Sequence, residues 1–147
     1  MKKLFVDTNI VIDLLSRRES FYEEAANLFS LADKRLIELS ISSLTIANTS
    51  YILLRQMDSN RAKSILRKLR LLVKILPLDD KIIGLALNDD LFSDFEDGLQ
   101  YFSAIEHRQD IIITRNLKDF KNSTLPIMTA KQFIETFRMD AGEHTTE

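Results

Sequence analysis

At 147 residues, with 45% hydrophobic and 29% charged side chains, the chain has the composition of one globular domain large enough to bury a core. Its net charge of −2 gives no global attraction to nucleic acid, so any such binding has to depend on local charge. The chain has no cysteine, which excludes disulfides and thiolate metal sites, and no apolar run approaches the ~20 residues that cross a bilayer, so we expect a cytoplasmic protein without membrane contact.

The first half of the chain alternates short apolar strands with helices. Residues 4–6 predict a buried strand, and residues 9–15, too densely apolar for a half-exposed strand, predict a helix packed on a sheet. An amphipathic pattern predicts a helix over 21–33, and residues 36–42 predict the second strand. Two further helices are expected, one capped by Thr45 and ending near residue 57, the other running from residue 59 or 60 to about 74.

The second half continues the alternation. Strands are expected at 73–78, 110–114 and 126–128, and the second has the near-continuous apolar run typical of a parallel strand buried on both faces. Helices are expected at 79–88, at 94–106, and from a cap at Thr129 to residue 137. The whole pattern predicts an α/β fold with a central parallel sheet between helices, forming one domain over residues 1–139 and a polar, disordered tail over 140–147.

Polar side chains follow these predicted strands at their carboxyl ends, where parallel α/β sheets place their sites. They are carboxylates, amides and one hydroxyl: Asp7, Asn48, Asp94, Glu96, Asp97, Thr114, Asn116 and Asp119. Oxygen ligands without imidazole or thiolate favour Mg²⁺ or Mn²⁺. A divalent ion held by acids can activate water and stabilise the displacement at a phosphodiester, so this set predicts a metal-dependent nuclease.

Each of these residues also has a purely structural interpretation. Asp7 could cap the helix after it, and Asp94 could cap the later helix with Asp97 at the third helical position of a capping box. Asn116 and Asp119 are common in turns. Taken singly, capping and turn roles are the commoner ones, but several polar groups at the strand ends of one sheet together favour a site.

Residues 61–74 form a locally basic stretch that contains no acid. Its ordinary interpretation is the solvated face of an amphipathic helix, and the functional one is a ridge that contacts RNA phosphates. The residues of this predicted RNA-binding ridge are Arg61, Lys63, Arg67, Lys68, Arg70 and Lys74.

Four segments spread over almost the whole chain resemble, in their order and spacing, the PIN domain family. They are FVDTN at 5–9, SSLTIANTSYIL at 42–53, DFEDGLQYFSAI at 94–105 and ITRNLKDF at 113–120. The resemblance is strongest to the VapC-type toxins of bacterial toxin–antitoxin systems. It implies a PIN-like three-layer α/β/α fold and a Mg²⁺- or Mn²⁺-dependent endoribonuclease that forms a homodimer and is inhibited by a cognate antitoxin protein.

The same resemblance assigns roles to individual residues. Asp7 and Asp97 match the family's metal-binding acids, and Thr114 matches its hydroxyl residue. The fourth family position falls on either Asn116 or Asp119. The roles implied are metal binding by the two acids, and orientation of water or of the scissile phosphate by Thr114 and Asn116.

The chain departs from the family at Asn48, which stands where the family usually has a glutamate. An amide can orient water but supplies no charge, so Asp94 or Asp119 is expected to complete the metal shell directly or through water. Glu96 is expected to turn away from Asp97 and to face solvent or a basic residue. The missing glutamate also supports an alternative, a PIN-fold module that binds RNA or protein with weak or lost catalysis.

Overall fold

Strands and helices alternate along the chain as the sequence predicts. The structure is a computed structural model and describes residues 1–145, with side chains through residue 142. In chain order the elements are β1 (Lys3–Val6), α1 (Thr8–Leu15), α2 (Tyr22–Asp33), β2 (Glu38–Ser42), α3 (Ser43–Leu53), α4 (Ser59–Arg70), β3 (Val73–Leu76), α5 (Asp80–Leu87), α6 (Phe95–Glu106), β4 (Ile111–Ile113), a 3-10 turn (Leu117–Phe120), β5 (Ile127–Met128) and α7 (Ala130–Thr145).

The strands form one five-stranded parallel sheet in the order β3-β2-β1-β4-β5. β1 lies at its centre, where Leu4 pairs with Leu39 of β2 on one side and with Ile111 of β4 on the other. Helices cover both faces, which explains why β1 and β4 are apolar at successive positions rather than alternate ones. The architecture is the three-layer α/β/α fold that the resemblance implies.

Alternate side chains of the central strands enter two separate cores. Leu4 and Val6 pack in the core built with α1, α2 and α7. Phe5 and Ile112 pack on the opposite face, against α6 and Phe120. All of these strand side chains are completely buried, and each contributes on the order of 1.5–3 kcal/mol of transfer free energy. The two cores hold the carboxyl ends of β1 and β4 side by side.

Several element ends differ from the predicted ones. The cap of α3 is Ser42 rather than Thr45, since the Ser42 hydroxyl accepts a hydrogen bond from the Thr45 N–H at 3.3 Å. α3 ends at Leu53 instead of residue 57 because the chain turns at 54–56. α4 ends at Arg70 because Val73 already pairs with β2, so the predicted ridge is partly strand. The prediction of Thr129 as a cap is confirmed, because its hydroxyl accepts from the N–H of Gln132 at 3.1 Å.

The last helix is longer than predicted. α7 continues to Thr145, past the expected end at residue 137, so the expected boundary between domain and tail falls inside a helix. Residues 146 and 147 of the predicted tail lie outside the described residues. The division into a domain over 1–139 and a tail over 140–147 therefore stays a prediction. Within residues 1–145, no helix combines the length and the apolar character needed to cross a membrane.

Candidate active site

A cavity of about 450 Å³ opens at the carboxyl end of the sheet. Its lining combines Asp7 from the end of β1, Asn48 from α3, Asp97 from α6 and Asn116 from the loop after β4. β1 lies between β2 and β4. The chain continues from β1 to β2 on one side of it and later returns to β4 on the other side. Open α/β sheets bind ligands at the carboxyl end of the strands where this change of side occurs. The fold thus brings four of the predicted site residues to one cavity.

Asp7 is both a helix cap and an acid of the cavity. Its N–H donates to the carbonyl of Ile113 and so continues the pairing of β1 with β4, and its side chain caps the N-terminus of α1. One carboxylate oxygen accepts from the Thr8 N–H at 2.9 Å, and the other accepts from the Thr114 hydroxyl at 2.8 Å. Burial raises the pKa of Asp7, while these hydrogen bonds act in the opposite direction. The capping interpretation of Asp7 is therefore confirmed, and the same side chain lines the cavity.

Gln100, to which the sequence pattern gave no role, connects the parts of the site. It is 3% exposed, and its Nε2 lies 3.0 Å from the Thr45 hydroxyl, 3.3 Å from the Thr8 hydroxyl and 3.4 Å from Oδ1 of Asp7. Its Oε1 accepts from the Ser42 hydroxyl. The available signal was spacing, because a glutamine three residues after Asp97 shares a helix face with it.

Asp97 lies in the first turn of α6 and is partly exposed. Burial is the largest cause that raises its pKa to about 7, followed by the negative charges of Asp94, Asp119, Asp7 and Glu96. No positive charge is among the causes of this shift, and such perturbed groups are typical of functional sites.

Asp94 and Asp119 lie on the other side of Asp97. Asp94 caps α6 by accepting from the N–H groups of Glu96 at 2.8 Å and Asp97 at 3.3 Å, so the predicted capping role is confirmed. Asp94, Asp97 and Asp119 line a second cavity of about 410 Å³. Asp97 therefore borders both cavities. Asp119 is exposed, and its charge raises the pKa of both Asp7 and Asp97.

Thr114 and Asn116 hold different positions in the site. Thr114 is fully buried, and besides donating to Asp7 its hydroxyl accepts from the Asn116 N–H at 3.1 Å. Its observed contacts are therefore with the protein. Asn116 is exposed and lines the cavity of Asp7, whereas Asp119 lines the neighbouring one. Both remain candidates for the fourth family position.

The donor set fits a hard cation held by few protein ligands. Within the described part of the chain, no three acidic or histidine side chains converge as a preformed metal site. The carboxylates of Asp7 and Asp97 and the amides of Asn48 and Asn116 nevertheless line one cavity. Mg²⁺ keeps several waters and commonly takes only one or two carboxylates, so this oxygen-only set suits it.

The predicted basic ridge lies apart from this cavity. Its six side chains are exposed, and Lys74 belongs to β3, where it forms an ion pair with Glu38 at 2.7 Å. The cations that line the cavity are instead Arg18 and Arg55, which sequence reasoning missed because they lie in the connections after α1 and α3, outside the basic stretch. Glu96 is exposed, as expected, but it also lines the cavity beside Asp97.

A partly buried ion pair holds the loop that carries Thr114 and Asn116. Arg115 lies between these two residues, and its Nε is 2.7 Å from Oδ2 of Asp13, whose side chain is 1% exposed. The guanidinium of Arg115 also lies 4.1 Å from the ring centroid of Phe21. Burial raises the pKa of Asp13, and the positive charge of Arg115 lowers it. The pair joins α1 to the loop after β4, two of the elements that border the cavity.

Comparison with known proteins gives a family match and a set of structural relatives. A family model described as PIN domain matches residues 3–118. Comparison with curated proteins finds no significant match.

The structural relatives share the fold at low identity. The VapBC2 complex of Rickettsia felis, bound to a DNA fragment from its promoter, is 22% identical with a TM-score of 0.61, over 86% of this chain and 96% of that chain. A toxin–antitoxin complex from Klebsiella pneumoniae is 24% identical with a TM-score of 0.64, over 86% and 97%. VapC20 of Mycobacterium tuberculosis, a sarcin–ricin loop cleaving toxin, is 16% identical with a TM-score of 0.58, over 74% and 86%. At these identities the similarity establishes a common fold.

Proposed function

The chain belongs to the PIN domain family, and from that premise we propose that it is a Mg²⁺- or Mn²⁺-dependent endoribonuclease of the VapC toxin type. One observation carries the proposal. The same cavity is lined by Asp7, at the end of β1, and by Asp97, in the first turn of α6, and its other polar groups are carboxylate, amide and hydroxyl side chains and two arginines. The raised pKa of Asp97 supports it, because the acids around that carboxylate lack a compensating charge.

In this proposal Asp7 and Asp97 bind the metal, and Asp94 or Asp119 completes the shell directly or through water. The bound ion would supply an activated water and neutralise charge on the phosphodiester. Thr114 and Gln100 hold the Asp7 carboxylate in place through their hydrogen bonds. Asp97 gives up its carboxyl proton when it becomes a ligand, since metal-binding carboxylates must be ionised.

The remaining polar groups act on the substrate. Asn48 and Asn116 line the same cavity as the acids and orient water or the scissile phosphate through their amides. Thr114 contributes by fixing Asp7 and the Asn116 backbone. The basic ridge Arg61, Lys63, Arg67, Lys68, Arg70 and Lys74 binds RNA phosphates beyond the cavity.

The toxin role adds partners and a location. Several proteins that share this fold were determined as toxin–antitoxin complexes, which supports a cognate antitoxin protein as an inhibitor of this chain. We further propose that the chain forms a homodimer. Cleavage of cellular RNA requires that it act in the cytoplasm.

Cleavage of labelled RNA in Mg²⁺, Mn²⁺ or EDTA tests the proposed function. We expect cleavage only with a divalent ion, and a loss of roughly 100-fold or more in Asp7→Asn and in Asp97→Asn. Asp80→Asn is the matched control, because it removes an exposed acid from the first turn of α5, away from the cavity. Cleavage that persists in both site variants would contradict the proposal.

Asn48 favours one alternative, a PIN-fold module that binds RNA or protein with weak or no catalysis. The amide lines the cavity at the position where the resemblance places a glutamate, so the site has one carboxylate fewer. This alternative predicts that RNA binding survives in Asp7→Asn and Asp97→Asn, and that the wild-type protein cleaves no RNA in either metal.

A further inference from the structure

We propose that Tyr51 and Arg55 form a subsite for one nucleotide of single-stranded RNA, in which the base stacks on the Tyr51 ring and Arg18 and Arg55 contact the adjoining phosphates. The inference rests on the proposed function, because it assigns a substrate contact to the same cavity. It concerns side chains to which neither the family resemblance nor the predicted basic ridge assigns a role.

The Tyr51 ring is exposed and is contacted by the guanidinium of Arg55. Its side chain is 62% exposed, although burying an aromatic ring of this size is normally favourable. The guanidinium of Arg55 lies 4.7 Å from the ring centroid, and its Nη2 donates to the Tyr51 hydroxyl at 2.8 Å. Arg55 therefore lies against the ring while much of the ring stays open to solvent, which leaves a surface for stacking.

The position of Tyr51 connects this surface to the acids. Asn48, Tyr51, Ile52 and Arg55 all line the cavity, and their spacing of three and four residues places them on one side of α3 and the turn after it. This side leads from Asn48, beside the acids, to Arg55 at the end of the helix. A nucleotide next to the scissile phosphate can therefore reach the Tyr51 ring.

The cavity contains both acidic and basic side chains, a combination that suits RNA. Asp7, Glu96 and Asp97 line it together with Arg18 and Arg55. The Arg18 side chain is 44% exposed and lies 4.0 Å from Asp13, a long ion-pair distance, and Arg55 hydrogen-bonds to the neutral Tyr51 hydroxyl. Both guanidinium groups therefore keep donors for phosphate oxygens, which the acids alone would repel.

Single-stranded RNA is the ligand class that matches both features. A base stacks on an aromatic side chain only when it is free of its neighbours, as in loops and single strands, whereas a duplex keeps its bases stacked inside. The combination of an exposed tyrosine with arginines is the usual means of binding such strands without strong sequence preference.

Tyrosine fluorescence measured in EDTA tests this subsite without requiring cleavage. The chain contains three tyrosines and no tryptophan, so a base that stacks on Tyr51 should quench a resolvable part of the emission. Affinities of the variants, which lack this tyrosine, are read instead from the anisotropy of a fluorescently labelled single-stranded oligoribonucleotide, and we expect the wild type to bind it roughly 5- to 100-fold more tightly than Tyr51→Ala. Tyr51→Phe keeps the ring and should retain most of the affinity. The control is Leu54→Ala, which removes another exposed apolar side chain at the C-cap of the same helix.

An oligonucleotide with an abasic site separates stacking from charge. At the position that contacts Tyr51, removal of the base should weaken binding to the wild type but have little further effect on Tyr51→Ala. Arg18→Met and Arg55→Met should instead reduce the salt dependence of binding.

Two outcomes would overturn the subsite. One is equal affinity of the wild type and Tyr51→Ala for every oligonucleotide. The other is a change in the oligomeric state of Tyr51→Ala in sedimentation, which would assign this surface to a second copy of the chain. Failure of the nuclease proposal is recognised separately: the protein would then cleave no RNA, whereas the binding measured in EDTA would be unaffected.

Discussion

Gln100 is the side chain through which α6 contacts the ends of β1 and β2. Its replacement by leucine keeps the volume but leaves the carboxylate of Asp7 and the hydroxyls of Ser42 and Thr45 with fewer partners. We expect Gln100→Leu to lower the free energy of unfolding by about 1–3 kcal/mol. If the glutamine positions Asp7, Mn²⁺ affinity and cleavage should also fall by roughly 10- to 100-fold.

Gln109→Leu is the control for this prediction. Gln109 is also buried, but it donates to the carbonyl of His107 at the end of α6, away from the cavity. We expect it to lose stability without losing Mn²⁺ affinity. Equal effects of the two variants on Mn²⁺ affinity would show that Gln100 has only a structural role.

Asp97 should make the metal-free protein less stable as the pH rises. Its folded-state pKa is about 7 against an ordinary value of 3.8, so the folded chain binds more protons than the unfolded chain between those values. Stability therefore falls as pH rises from about 4 to 7, and the penalty is complete above the folded-state pKa. Asp97→Asn removes this penalty. Urea unfolding in EDTA should find the variant more stable than the wild type by roughly 1–2 kcal/mol at pH 8, after allowance for solvent screening, and by less at pH 5.

A constant difference between Asp97→Asn and the wild type at both pH values would contradict this assignment. Asp80→Asn, which removes an exposed acid elsewhere, provides the comparison for a general change in net charge.

At the scale of elements, the pair of Asp13 and Arg115 attaches the loop after β4 to α1. Arg115→Met would leave the Asp13 carboxylate buried without its closest partner. We expect the free energy of unfolding to fall by about 3 kcal/mol, and the double variant Asp13→Leu with Arg115→Met to recover part of that loss. Lys74→Met, which breaks the exposed pair with Glu38, should change stability by less than about 1 kcal/mol.

The elements differ in how far the sequence predicts them. The apolar runs at β1 and β4 are recognisable because burial on both faces requires apolar side chains at every position. The end of α4 is not, because Lys74 continues a helical pattern and only pairing with β2 makes it a strand residue. Ser42 and Thr45 are equally good caps by composition, and the backbone conformation of Ser42 decides between them.

At the scale of the whole molecule, the sheet order decides which polar residues meet. The alternating pattern predicts that strand ends converge, and Asp7, Asn48, Asp97 and Asn116 do line one cavity. It does not predict that Gln100, Arg18 or Arg55 lines the cavity, because Gln100 acts through hydrogen bonds to residues distant in sequence and the arginines reach the cavity only in the folded chain. Nor does it reveal that Asp97 separates two cavities.

The molecule carries two groups of cations that can contact RNA, and salt dependence distinguishes their contributions to binding. The basic ridge on α4 and β3 lies outside the cavity, whereas Arg18 and Arg55 line it. We expect the double variant Lys63→Ala with Arg67→Ala to reduce the slope of log affinity against log salt by about 0.7 for each phosphate that the ridge no longer neutralises, with cleavage at saturating RNA unchanged. An unchanged slope would show that the ridge is an ordinary solvated helix face that does not bind RNA.

The central claim is that Asp7 and Asp97 together hold a divalent cation, and Mn²⁺ titration followed by electron paramagnetic resonance tests it most directly. We expect saturable binding to the wild type, a loss of roughly 10-fold or more in affinity in both Asp7→Asn and Asp97→Asn, and a gain in Asn48→Glu, which adds a carboxylate to the same cavity. Asp80→Asn should bind Mn²⁺ as the wild type does. Equal Mn²⁺ affinity in the wild type and all four variants would contradict the claim.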